Sequence, residues 1–235
     1  MGRNHGDAPA ASRRYRQGGV SDRRLRLPRM GRKRGASYPY QARQGGEARR
    51  DQATDIENVI HWAHGEADCD PKRIGLWGTS YSGGHVVHVA AVDHRVKALV
   101  SQVGGMDSSF VVANEQARAA TYDGATRRAR GELGYPPPRA VVIGKLQGGP
   151  VAEKMIHNSP VNEAGNAPNC AMLFIVAEKE ELFDNRDHAV KAHALAKGPK
   201  KLVSIPGIAH YGIYNEARHE ATRLAIEWFD AHLKN

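Results

Sequence analysis

Ser80 lies in Gly78-Thr79-Ser80-Tyr81-Ser82-Gly83-Gly84, between the apolar run Arg73-Ile74-Gly75-Leu76-Trp77 and the helix-forming stretch His85-Val86-Val87-His88-Val89-Ala90-Ala91. A serine on a sharp turn between a buried strand and a helix has the setting of a nucleophile elbow. Such a turn brings the residues two before and two after the serine almost into contact, so both must be small. Gly78 fills the first position. Ser82 fills the second, where the simplest G-x-S-x-G pattern has glycine. A serine hydroxyl is a weak nucleophile at neutral pH, so the chemistry needs a base to take its proton and an acid to orient that base.

Both residue types follow in the order a triad on a parallel sheet requires. Ala171-Met172-Leu173-Phe174-Ile175-Val176-Ala177 reads as a strand buried on both faces. It is followed at once by Glu178, Glu180, Glu181, Asp184 and Asp187. Lys201-Leu202-Val203-Ser204-Ile205-Pro206 reads as the next strand, and Gly207-Ile208-Ala209-His210-Tyr211-Gly212 follows it. Serine, acid and histidine each fall just past the C-terminal end of a strand, where open α/β sheets place their crevice. His210 is set apart from the other eleven histidines by its glycine-flanked loop between a strand and the last helix. Glu180 fits the acid best, a few residues beyond its strand, with Glu181 and Asp184 as alternatives. The backbone N–H of Tyr81, directly after the serine, is the expected oxyanion donor.

Residues 73–84 resemble elbows of the α/β-hydrolase superfamily, in its dienelactone-hydrolase-like and X-Pro-dipeptidyl-peptidase-like (S15-type) branches. Dienelactone hydrolases proper use cysteine as nucleophile, where this chain has Ser80. The resemblance covers roughly residues 48–235. It implies hydrolysis of an ester, or of an amide, through an acyl-serine intermediate and without a metal or organic cofactor. His5-Gly6 stands at the offset of that superfamily's His-Gly oxyanion motif, but no apolar strand precedes it.

The elements that must position these residues are legible in outline. Residues 51–66 carry Ile56, Val59, Ile60 and Ala63 at helical spacing. Asp68-Cys69-Asp70-Pro71 is a turn signal. Residues 97–103 read as a further strand ended by Gly104-Gly105, with Gln102 and Met106 as candidate pocket residues. Residues 106–169 form a long interval with a helical stretch over 113–133 and a proline break at 136–138. It is the expected lid insertion, with Phe110, Tyr122 and Tyr135 as candidates to line an acyl pocket. Residues 214–233 read as a final amphipathic helix. The fold class expected is α/β, a mostly parallel sheet with helices on both faces. The domain expected is 47–235.

The net charge of +9 is unevenly spread. Residues 1–50 hold 14 Lys/Arg against 3 Asp/Glu, whereas the rest of the chain holds 20 against 22. Residues 1–46 are rich in Arg, Gly, Ser and Pro and contain no convincing apolar run, a composition that favours disorder. Three readings apply to this segment: a basic arm for nucleic acid or another acidic surface, a transit peptide, or sequence with no evolved role. The third is favoured, because the strands that precede the elbow strand in a complete sheet of this kind are not visible and are expected to be missing or replaced.

Two cysteines, Cys69 and Cys170, make no disulfide framework, and a cytoplasmic location is the default. No run is long enough to span a membrane. Cys69 with His61 and His64, and His85 with His88, form only partial metal-ligand patterns, so no metal is expected. The functional expectation is a serine hydrolase acting on a small carboxylic ester. A serine peptidase of prolyl or aminopeptidase type is the enzymatic alternative, and a truncated, non-catalytic protein on this scaffold the other. No oligomeric state is assigned.

Overall fold

The structure is a computed structural model that describes residues 49–134 and 151–234. The expectations placed on residues 1–46, on His5-Gly6, on Tyr135 and on the break at 136–138 lie outside the described residues.

Four strands build one all-parallel sheet in the order β1-β2-β3-β4: β1 (Ile74–Thr79), β2 (Val96–Gln102), β3 (Ala171–Ala177) and β4 (Lys200–Ile205). All seven residues of β3 are buried, which accounts for its uninterrupted apolar run. Among the described residues no strand pairs with the outer edge of β1. There Trp77 is 43% exposed.

Helices cover both faces of the sheet. On one side, α1 (Arg49–His64) and α2 (Tyr81–Val92) share a core with Leu99, Met172 and Phe174. Ala53 and Ile60 carry the buried face of α1. The short helix α4 (Lys191–Leu195) joins the same side through Ala192, after a π turn over Arg186–Val190. On the other side, Ala221, Leu224 and Ala225 of α5 (Arg218–Leu233) pack on Val100, Leu173 and Ile175.

The long interval after β2 divides in two. Helix α3 (Glu115–Ala129) buries only Thr121, and Phe110 and Tyr122 near it are 66% and 48% exposed. A 3₁₀ segment over Pro160–Asn166 belongs instead to the core, with Pro160, Val161 and Ala164 buried against α2. This part of the expected lid insertion is thus structural packing. Helix α5 starts four residues later than its periodicity suggests, because His210–Tyr214 forms a 3₁₀ turn first.

Candidate active site

Ser80 occupies the step from β1 into α2 with φ 57° and ψ −122°. A non-glycine residue with this backbone is strained by roughly 1–3 kcal/mol and persists only where its surroundings hold it. Several hydrogen bonds hold it here. The Ser80 N–H donates to the carbonyl of Gln102 at the end of β2, and the Ser80 carbonyl accepts from Gly83 and Gly105. The elbow is as tight as the small residues imply, since a Cβ on Gly78 would fall 2.1 Å from the Ser82 carbonyl oxygen. Ser82 contributes more than small size. Its Oγ accepts from the Thr79 N–H and donates to the Thr79 carbonyl, each at 2.9 Å, which closes the turn from within.

His210 opens the 3₁₀ turn that follows β4 and is 1% exposed. Its Nε2 lies 2.8 Å from Ser80 Oγ. Its Nδ1 lies 2.9 Å from both carboxylate oxygens of Glu180, whose side chain is 2% exposed. A carboxylate facing Nδ1 with both oxygens fixes the ring proton there, so Nε2 is the acceptor and the Ser80 hydroxyl donates to it.

The three glutamates after β3 divide the support of this loop. Glu178 Oε2 accepts from the Gly207 N–H at 2.7 Å. Glu180 receives the imidazole. Glu181 Oε2 accepts from the His210 N–H at 2.8 Å. Asp184 is engaged elsewhere, in the exposed turn with Arg186. That pairing, first through the guanidinium and then through the Arg186 N–H, lowers its carboxyl to about 2. The ring of Phe183 meets His210 edge-on at 5.8 Å.

Tyr81 begins α2, so its N–H belongs to the first turn of a helix whose N–H groups point outward beside Ser80. Two cavities open at this point. One, of about 460 Å³, is lined by Trp77, Thr79, Ser82, Gln102 and Tyr214 together with the start of α5. The other, of about 430 Å³, is lined by Gln52, Asp55, Ile56, Ser80, Tyr81 and His85. Gln102 thus faces open space, and among the described residues its buried Oε1 has no hydrogen-bond partner. Met106 does not face it and packs in the core beside α2.

The partial metal patterns are spoken for by other contacts. His88 Nδ1 pairs with Glu163 Oε2 at 2.5 Å, His85 packs edge-on against Tyr81, and Arg95 donates to His61. Among the described residues no group of three His, Cys, Asp or Glu side chains is placed to hold a metal ion. No helix among them is long and apolar enough to cross a membrane.

One residue escaped the sequence reading: Tyr214, which ends the turn that His210 opens and lines the first of the two cavities beside Thr79 and Ser82.

Comparison with known proteins agrees with this architecture. The family model of the X-Pro dipeptidyl-peptidase (S15 family) matches residues 42–131. A 31.7 kDa protein of the traX-finO intergenic region of Escherichia coli is 29% identical over 219 residues, covering 77% of this chain and 73% of that protein. Among solved structures, the hypothetical protein PA2218 from Pseudomonas aeruginosa superposes with a TM-score of 0.65 at 20% identity, covering 80% of this chain and 70% of its own. The α/β hydrolase GrgF from Penicillium sp. sh18 superposes with a TM-score of 0.66 at 17% identity, covering 81% and 74%.

Proposed function

We propose that the chain is a serine hydrolase of the α/β-hydrolase superfamily, cleaving a small carboxylic ester through an acyl-serine intermediate, a reading that the family-model match and the fold likeness support. The observation that carries this reading is the unbroken line of hydrogen bonds from Ser80 Oγ through the imidazole of His210 to the buried carboxylate of Glu180.

In this reading Ser80 Oγ attacks the ester carbonyl as its proton passes to His210 Nε2. Glu180 stabilises the imidazolium so formed and keeps the ring oriented. The negative charge that develops on the carbonyl oxygen is met by the Tyr81 N–H, at the positive end of α2. Collapse of the adduct breaks the bond to the leaving alcohol, which takes the proton from His210. A water then repeats the sequence on the acyl-serine, releasing the carboxylic acid and restoring Ser80. The alternative acids serve differently. Glu181 holds the main chain of the histidine loop, and Asp184 stabilises a surface turn.

Amide cleavage is the second reading, and the match of residues 42–131 to the S15 peptidase family is what favours it.

The test is hydrolysis of a short p-nitrophenyl ester, and of an aminoacyl p-nitroanilide, by the chain and by Ser80→Ala. Ester hydrolysis that falls about a thousandfold or more in the variant is the expected result, with fluorophosphonate labelling at Ser80 alone. Turnover that survives Ser80→Ala would remove the proposal. Preferential cleavage of the anilide would move the enzyme to the peptidase reading.

A further inference from the structure

Among the described residues two that are not glycine have positive φ, Ser80 at 57° and Val103 at 40°. Backbone hydrogen bonds join the two strained places. The Ser80 N–H donates to the carbonyl of Gln102, directly before Val103, and the Ser80 carbonyl accepts from Gly105, two residues after it. The contact is close, since a Cβ on Gly83 in the first turn of α2 would fall 2.6 Å from Gly104 Cα. Residues 103–106 therefore form a brace against the elbow. A β-branched residue adopts such a backbone only where its surroundings impose it, so the brace needs an anchor at each end. At its start the Val103 N–H donates to the Ile175 carbonyl in β3 at 2.7 Å. At its end the Met106 N–H donates to His188 Nδ1 at 2.8 Å.

His188 lies in the π turn after β3 and is 8% exposed. An Nδ1 that accepts from an amide carries no hydrogen, so the neutral ring of His188 holds its proton on Nε2, the reverse of His210. The ring packs on Phe183 at 4.3 Å, and Phe183 in turn meets His210 edge-on. One side chain thus stands behind both the serine, through the brace, and the histidine, through Phe183. It lines neither cavity at Ser80.

We infer that His188 is a positioning residue for Ser80, acting through the Met106 N–H that its Nδ1 accepts. The inference rests on the serine-hydrolase reading above. Without that acceptor a buried N–H is left unsatisfied, and the chain moves to satisfy it. The movement lies one residue from the Gly105 N–H that holds the Ser80 carbonyl. As that hydrogen bond loosens, the strained backbone of Ser80 relaxes, and Oγ leaves its place 2.8 Å from His210 Nε2. Attack on the ester depends steeply on that placement. Binding of the ester does not depend on His188, because its side chain faces neither cavity. The loss therefore falls on kcat and spares KM.

The test compares two amides at this position, His188→Asn and His188→Gln, with p-nitrophenyl acetate, beside the wild-type chain and Ser80→Ala. The Asn carbonyl oxygen falls where Nδ1 stood and can accept from Met106. The longer Gln side chain places its amide near the position of Nε2 and cannot. The expected result is a kcat within about threefold of wild type for His188→Asn. For His188→Gln it is a fall of about ten- to a hundredfold, with KM within about twofold in both. Hydrogen exchange at the amides of residues 103–106 should quicken in His188→Gln and not in His188→Asn. The inference is overturned if His188→Asn loses as much as His188→Gln, in turnover or by unfolding. It is also overturned if His188→Gln turns over as wild type does, or if the loss lies in KM. A wild-type chain with no Ser80-dependent hydrolysis would overturn the underlying reading and this inference with it, an outcome that the Ser80→Ala control separates from the others.

Discussion

The backbone N–H of His210 donates to Glu181 Oε2 at 2.8 Å, while the imidazole of the same residue is held by Glu180. Adjacent acids from the loop after β3 thus grip the main chain and the side chain of one histidine. The two grips have different consequences when removed. Glu180→Gln leaves a side chain of the same shape that can no longer offer a carboxylate to Nδ1–H, so the tautomer and the imidazolium both lose support. Turnover of the ester should fall by about 10²–10⁴. Glu181→Ala removes one acceptor for a backbone N–H. It should lower stability by about 1 kcal/mol and kcat by no more than about tenfold. Steady-state kinetics with chemical denaturation of both variants would check this, and a larger kinetic loss in Glu181→Ala would reverse the two roles.

Ser82 should be harder to replace than its departure from glycine suggests. Its hydroxyl satisfies both the N–H and the carbonyl of Thr79 in the turn that strains Ser80. Ser82→Ala keeps the small size and deletes both hydrogen bonds, which should cost about 1–2 kcal/mol and lower kcat as the elbow loosens. Ser82→Gly would restore the simplest motif and should still be less stable than wild type, because the unfolded chain gains freedom as the hydrogen bonds are lost. Thermal unfolding of the two variants beside wild type measures both effects.

What could be read from the sequence was what local pattern controls. The strands stood out because a parallel sheet covered on both faces demands continuous apolar runs, and β3 is buried along its whole length. The elbow stood out because tight backbone contact restricts Gly78 and Ser82 to small residues. The less legible features depend on tertiary contact. Nothing in Pro160-Val161-Asn162-Glu163-Ala164 announces a core segment, yet Pro160, Val161 and Ala164 are buried. The apolar spacing of the last helix continues back through Tyr214, but the chain there is committed to the turn that carries His210. The run of acids was visible, whereas its division of labour was not, since one residue of shift decides whether a carboxylate meets a ring, an amide or an arginine.

Asp184 provides a pH signature remote from the triad. Its hydrogen bonds from Arg186 lower its carboxyl from 3.8 to about 2. A carboxyl held below its unfolded value stabilises the folded chain at pH above that unfolded value. The contribution is lost as pH falls through the folded one. Asp184→Asn should therefore melt slightly below wild type at neutral pH, with the difference closing between about pH 4 and pH 2. The effect is small because the pair is exposed. Ester hydrolysis at neutral pH should be unchanged. A variant that loses most activity while its melting temperature holds would bring Asp184 back as the acid of the triad.

Cys170 tests the packing at the start of β3. It stands directly before β3, is 2% exposed, and burial pushes its thiol up to about 12. Reactivity follows the thiolate, so Cys170 should resist alkylation in the folded protein at mildly alkaline pH. Cys69, half-buried in the turn before β1, is the accessible thiol of the pair. Iodoacetamide should therefore modify Cys69 alone in buffer and both cysteines in denaturant, as read by peptide mass. If Cys170 reacted in the native state as fast as in denaturant, the root of β3 would be open to solvent.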